Sequence, residues 1–95
     1  MLGNLKRTVH GWSQTRRKLK LRFNALNIRA CEVCGSSYNL SFAHRVKRRF
    51  ITTQEELENG CALLCQTDHD RLEFGDKNVM YAEITKIIEK RNGYN

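Results

Sequence analysis

The chain has 95 residues, 40% of them hydrophobic, and no apolar run of membrane-spanning length, so it reads as one small domain whose core is marginal without a staple. Its formal charge of +7 is segregated: residues 1–50 carry twelve Lys and Arg against the single acid Glu32, a net +11, and residues 51–95 carry a net −4. Segregation of that kind argues against a merely solvated surface and for a polyanionic partner met by the first half, driven by counterion release.

At the N-terminus, Lys6, Arg7 and His10 interrupt the few apolar residues, so no signal-peptide core forms and a reducing cytoplasm is the expected compartment. Leu5, Val9, Trp12, Leu19, Phe23 and Leu26 recur at helical spacing and predict an amphipathic helix over 5–26. Its other faces carry Arg16, Arg17, Lys18, Lys20 and Arg22, placed to follow a phosphate backbone while Trp12 and Phe23 anchor the apolar stripe. His10 is assigned to the surface. Membrane-surface binding would also suit a basic amphipathic helix, but it leaves the cysteines without a role.

Cys31-Glu32-Val33-Cys34-Gly35 predicts a tight turn in which Gly35 takes positive φ. Two thiols that close suit a metal or redox site better than structural disulfides, and they supply half of a tetrahedral zinc shell. A redox role is poorly supported, because no βαβ pattern surrounds the pair. Tyr38 to His44 alternates as a strand with Leu40, Phe42 and His44 on one face, and Arg45, Lys47, Arg48 and Arg49 follow at once. Cations beside a titratable imidazole suit a phosphodiester substrate.

Thr53 to Glu56 has capping-box spacing, with Thr52 to Glu55 as a second register, and Gly60 is the expected stop of that short helix. Cys61 to Cys65 predicts a buried strand. Thr67 or Asp68 then caps a helix from Asp68 to about Phe74, on which His69 and Glu73 share a face. The last helix, about Asn78 to Arg91, buries Met80, Ile84, Ile87 and Ile88 and is assigned packing alone.

The ordered set CEVCG, AHRVKRR, ENG and LLCQTDHD resembles the HNH endonuclease family over residues 31–74, under half of the chain. The resemblance implies an α+β fold: a small ββα-metal, treble-clef-like core (31–74), zinc-stapled, between a basic helical extension (1–30) and a C-terminal packing helix (75–95). It also implies that His44 is the general base that activates water, that Asn59 braces the chain aiming it, and that His69 is a metal ligand. The cation would be magnesium, manganese, nickel or zinc, and the partner DNA, nicked or cut as a duplex. A phage or prokaryotic cytoplasm is the implied location. To cut both strands, a chain with one site must form a homodimer or act twice, and other DNA-processing proteins of phage or host are further expected partners.

Three departures from the family pattern bear on chemistry. Ala43 stands where a co-ligating Asp, Glu or His is usual, leaving His69 with Asp70 or Glu73 and water. Asp68 stands where the last cysteine of a second pair is usual, so that Cys31, Cys34, Cys65 and Asp68 are the candidate zinc ligands, with Cys61 the rival fourth. Asn59 lies six residues before Cys65 rather than five. Beside the endonuclease stands a non-catalytic zinc module of the same fold that binds nucleic acid or a protein.

Overall fold

A computed structural model describes residues 11–93. The part of the expected first helix that contains Leu5, Val9 and His10 lies outside the described residues, as do residues 94 and 95. Among the described residues the fold is α+β, with four α-helices around one two-stranded antiparallel sheet.

Helix α1 spans Trp12–Ala25 and buries Thr15, Leu19 and Phe23 along one stripe. It stops because Asn27 turns left-handed (φ 63°), which lets the Ile28 N–H reach the Phe23 carbonyl at 2.9 Å. The expected strand from Tyr38 is shorter: Asn39 also takes positive φ (51°) and turns the chain, so β1 is Leu40–His44. A single turn of 3₁₀ helix, Arg48–Phe50, precedes α2, Gln54–Asn59. The Thr53 hydroxyl caps α2 by accepting the Glu56 N–H at 3.2 Å. Gly60 ends α2 for a reason of space rather than conformation: its φ is −92°, and a Cβ there would collide with the Glu56 carboxylate and lie 2.8 Å from the Glu56 carbonyl.

Strand β2, Cys61–Cys65, is buried throughout and pairs with β1 so that His44 faces Cys61, Phe42 faces Leu63 and Ala43 faces Ala62. Helix α3 is Gln66–Glu73, two residues longer at its start than expected, with Cys65 rather than Thr67 or Asp68 as its cap residue. The Asp68 carboxylate does not cap it because it accepts from the Cys31 and Cys65 thiols, each at 3.3 Å. Helix α4, Lys77–Arg91, is capped by Asp76, which accepts the Asn78 N–H at 2.7 Å.

The sheet divides the core. On one face Phe42, Leu63 and Cys61 meet Leu19 and Phe23 of α1, with Phe23 and Phe42 edge to face at 5.1 Å. On the other, Ala43, Ala62 and Leu64 meet Leu72 of α3 and Met80 and Ile84 of α4, the small alanines letting both helices approach closely. Each large apolar side chain so buried contributes roughly 1.5–3 kcal/mol. The outer edge of β2 is closed by Glu32: its N–H donates to the Leu63 carbonyl and its carboxylate accepts the Leu63 N–H, both at 2.8 Å. Arg91 clamps that carboxylate and also donates to the Cys61 carbonyl at 3.0 Å, tying α4 to the cysteine turn. Among the described residues no further strand pairs with the outer edge of β1, and Phe42 and His44 of that strand line the candidate site.

Candidate functional site

A cleft of about 350 Å³ is lined by Phe42, His44, Lys47, Arg48, Arg49, His69 and Glu73. Its walls come from the end of β1, the basic turn after it, and one face of α3, so the two histidines expected to act together do share a cavity.

His44 is buried, with its ring edge-on to Trp12 at 5.1 Å. Its Nε2 lies 2.7 Å from the Leu57 carbonyl oxygen, and because a carbonyl only accepts, the neutral ring carries its proton on Nε2 and its lone pair on Nδ1. Among the described residues no buried side-chain nitrogen or oxygen lacks a partner, so Nδ1, which has none, is the atom that reaches solvent. Burial holds the His44 pKa below its ordinary 6.5, and the Arg48 and His69 charges add to this against the Leu57 carbonyl and Glu56, which favour the proton. The result is a neutral imidazole in which Nδ1 is the unpartnered basic nitrogen.

His69 sits in the first turn of α3, and its Nδ1 is 2.7 Å from the Ser41 hydroxyl. Its Nε2 lies 3.9 Å from Glu73 Oε1, one helical turn on. The other Glu73 oxygen accepts from Lys47 Nζ at 2.7 Å, and that bond holds the Glu73 carboxyl below its usual range although burial opposes it. Of the two expected companions for His69, Glu73 is therefore in the cleft. Asp70 is not among its lining residues and accepts instead from Gln66 at 2.7 Å. Ala43 is fully buried in the core against α3 and offers no donor. Among the described residues no set of three carboxylate, imidazole or thiol donors converges on this cleft.

Asn59 is not among the residues lining the cleft. Its carbonyl oxygen accepts from Arg22 Nη1 at 2.8 Å, while Arg22 Nη2 donates to the Glu58 carbonyl at 2.6 Å. The group that holds the His44 ring is the backbone of Leu57 instead. Sequence reasoning missed Leu57, Ser41 and Trp12; only for Ser41 was there a signal, since strand alternation sets it opposite to His44, toward the helix that carries His69.

The nine basic residues assigned to nucleic acid divide. Arg16, Arg17 and Lys20 are exposed on α1, and Arg16 and Lys20 flank a second groove that meets the cleft at Phe42. Arg48 and Arg49 line the cleft stacked on rings, Arg48 over Trp12 at 4.5 Å and Arg49 over Phe50 at 4.9 Å. Lys18 is paired with Glu58 at 2.8 Å, and Lys47 and Arg22 are engaged as described. Arg45 is a strut: it grips both Glu56 oxygens at 2.7 and 2.9 Å, donates to Thr85 at 3.0 Å and lies over the Tyr81 ring.

On the far side of α3, Cys31, Cys34, Cys65 and Asp68 lie close enough to hold a metal ion, with their ligand atoms all within 4.8 Å of one another. Cys34 and Cys65 sulfurs are 3.7 Å apart. Burial resists ionisation of Cys31, yet backbone N–H groups of Cys34, Cys65 and Val33 lower its pKa; burial likewise resists at Asp68, where the three thiols lower it. Cys34 feels the Ser36 N–H pulling down, but the Cys65 and Cys31 sulfurs raise it to about 11. Four acids packed together cannot all ionise unless a cation sits among them. Cys61, the rival ligand, is on the opposite face, and burial pushes its thiol up to about 12.

No helix among the described residues is long and apolar enough to cross a membrane. No family model, curated protein or solved structure matches the chain.

Proposed function

We propose that the chain is a metal-assisted endonuclease of the HNH type, with a ββα-metal, treble-clef-like core, that hydrolyses phosphodiester bonds of DNA in the cleft between His44 and His69. The observation that carries the reading is one cleft holding an imidazole nitrogen free to accept a proton beside three cationic side chains. Arg48, Arg49 and Lys47 hold the phosphate, and His44 Nδ1 takes the proton of the attacking water. The Leu57 carbonyl, accepting from Nε2, steadies the imidazolium that results. Asn59 acts at one remove, fixing the end of α2, and with it Leu57, through Arg22.

A divalent cation, when bound, supplies Lewis acidity at a phosphate oxygen. Two donors fit it, His69 Nε2 and Glu73 Oε1, with water completing the shell, an arrangement that magnesium tolerates and that manganese, nickel or zinc favours through the imidazole.

Zinc is the ion proposed for Cys31, Cys34, Cys65 and Asp68. Metal bonds of roughly 2.3 Å to sulfur and 2.0 Å to oxygen in a tetrahedron give edges of about 3.8 Å between sulfurs and about 3.5 Å between sulfur and oxygen. Three of the six observed edges are 3.7 Å between Cys34 and Cys65, and 3.3 Å from Asp68 to Cys31 and to Cys65, and the other three are within 4.8 Å. Four free thiols suit the reducing cytoplasm of a prokaryotic cell, carrying a phage or not.

Supercoiled plasmid incubated with manganese or magnesium tests the activity. Wild type relaxes or linearises it, or cuts a circular single strand under the same conditions, and His44→Ala does neither; both substrates left equally intact by both proteins sinks the proposal. Buried Ala43, and Lys47 seated on Glu73, favour a second reading, a non-catalytic zinc module that binds nucleic acid. Salt-dependent DNA binding with no cleavage in any divalent metal would select it.

A further inference from the structure

A third cavity, a groove of about 330 Å³ distinct from the one flanked by Arg16 and Lys20, lies beside the cleft and shares Lys47 and Glu73 with it, so that this ion pair forms the wall between them. The groove differs in chemistry: Val46, Phe50, Leu72, Met80 and Tyr81 line it. Phe50 and Tyr81 are 63% and 45% exposed, so both rings are reachable from solvent. The segment 45–50 is thus divided, Arg48 and Arg49 toward the cleft, Arg45, Val46 and Phe50 toward the groove, and Lys47 bordering both.

We infer that this groove is a nucleobase site, which takes an unpaired base of the strand whose phosphate lies in the cleft. The inference rests on the proposal that the cleft holds a phosphodiester, and it narrows the substrate to DNA unpaired at the site. A polynucleotide presents a phosphate and an aromatic base side by side, and the two cavities present cations and aromatic rings side by side. The groove volume falls at the lower end of the range, roughly 300 to 1,000 Å³, that small-ligand sites occupy. Stacking on Phe50 or Tyr81 tolerates any base, because every base has a π-face. Asn78 at the groove rim has a carboxamide that no other described side chain engages, so it can pair with a base edge. A base stacked and paired within a duplex cannot enter.

Fluorescence anisotropy with labelled oligonucleotides of equal length tests this on the full chain, without added metal and at low salt. Wild type binds a single strand more tightly than the matched duplex, and more tightly than a strand with abasic sites, which keeps the phosphates and lacks bases. Phe50→Ala loses on the order of tenfold in affinity for the base-bearing strand and none for the abasic one; Tyr81→Ala serves as the second variant, and both retain the wild-type circular dichroism spectrum. Equal affinity for base-bearing and abasic strands, unchanged in both variants, overturns the base site and leaves the phosphate cleft standing. Failure of wild type to bind any nucleic acid at low salt overturns both. A wild-type dimer in sedimentation that Phe50→Ala dissociates also overturns it, because the groove is then filled by a second copy.

Discussion

Replacing Arg45 with methionine separates a strut from a phosphate contact. The guanidinium makes two charge-assisted bonds to Glu56 and one to Thr85, and the ion pair is mostly screened from water, with 21% and 25% of the two side chains exposed. A bond to a charged group contributes about 1.5–3 kcal/mol, and methionine preserves the stem packing while leaving Glu56 unpaired but able to hydrate in part. We expect a loss of about 2–3 kcal/mol, which for a domain of this size lowers Tm by roughly 10–20 °C. Arg48→Ala, which removes only a guanidinium stacked on Trp12, costs about 0.5–1 kcal/mol. The order reverses in DNA binding: Arg48→Ala lowers the slope of log affinity against log salt by about 0.9, and Arg45→Met leaves it unchanged. Thermal melts by circular dichroism and a salt titration of DNA binding read both quantities. An Arg45→Met protein with wild-type Tm and a flattened salt slope would refute the reasoning.

His44 has a depressed pKa and Trp12, the single tryptophan, lies against it, so tryptophan emission is expected to fall on acidification with a midpoint below 6.5, and to lose that step in His44→Phe. Because the unfolded chain takes up that proton at higher pH than the folded one, urea midpoints should decline as pH drops below 6.5 and level off beneath the folded pKa. DNA cleavage, which needs the neutral ring, should persist below pH 6.5. Cobalt added to the reduced, metal-free protein should give a single tetrahedral absorption band, weakened at least tenfold in affinity by Cys34→Ser or Asp68→Ala and untouched by Cys61→Ser; loss of the band in Cys61→Ser contradicts the ligand assignment. Gly60→Ala should lower stability by about 1–3 kcal/mol in urea titrations, since the new methyl meets the Glu56 carboxylate that Arg45 holds in place. An unchanged midpoint would show that Glu56 can move aside freely.

Local chemistry was legible in the sequence wherever a residue's own geometry decides. Thr53 caps α2, Gly35 takes positive φ at 82°, and the strand alternation that set Phe42 and His44 on one face holds in the register of β1 with β2. Spacing paired Cys31 with Cys34 in a tight turn, and the family resemblance added Cys65 and Asp68 to them, with Cys61 left as a rival. Tertiary structure decided what spacing leaves open. Arg45 and Arg48 stand three residues apart in one basic run, yet Glu56 and Thr85 make the first a strut while Trp12 holds the second over the cleft. Asp68 rather than Cys61 joins the three thiols that lie close enough to hold an ion, because antiparallel pairing carries the two ends of β2 apart, putting Cys61 opposite His44 and Cys65 near the turn at Cys31. His44 itself is aimed by a backbone carbonyl thirteen residues away, a contact that leaves no mark on side-chain composition. Sequence thus marked the candidate residues, and packing determined which of them face the cleft.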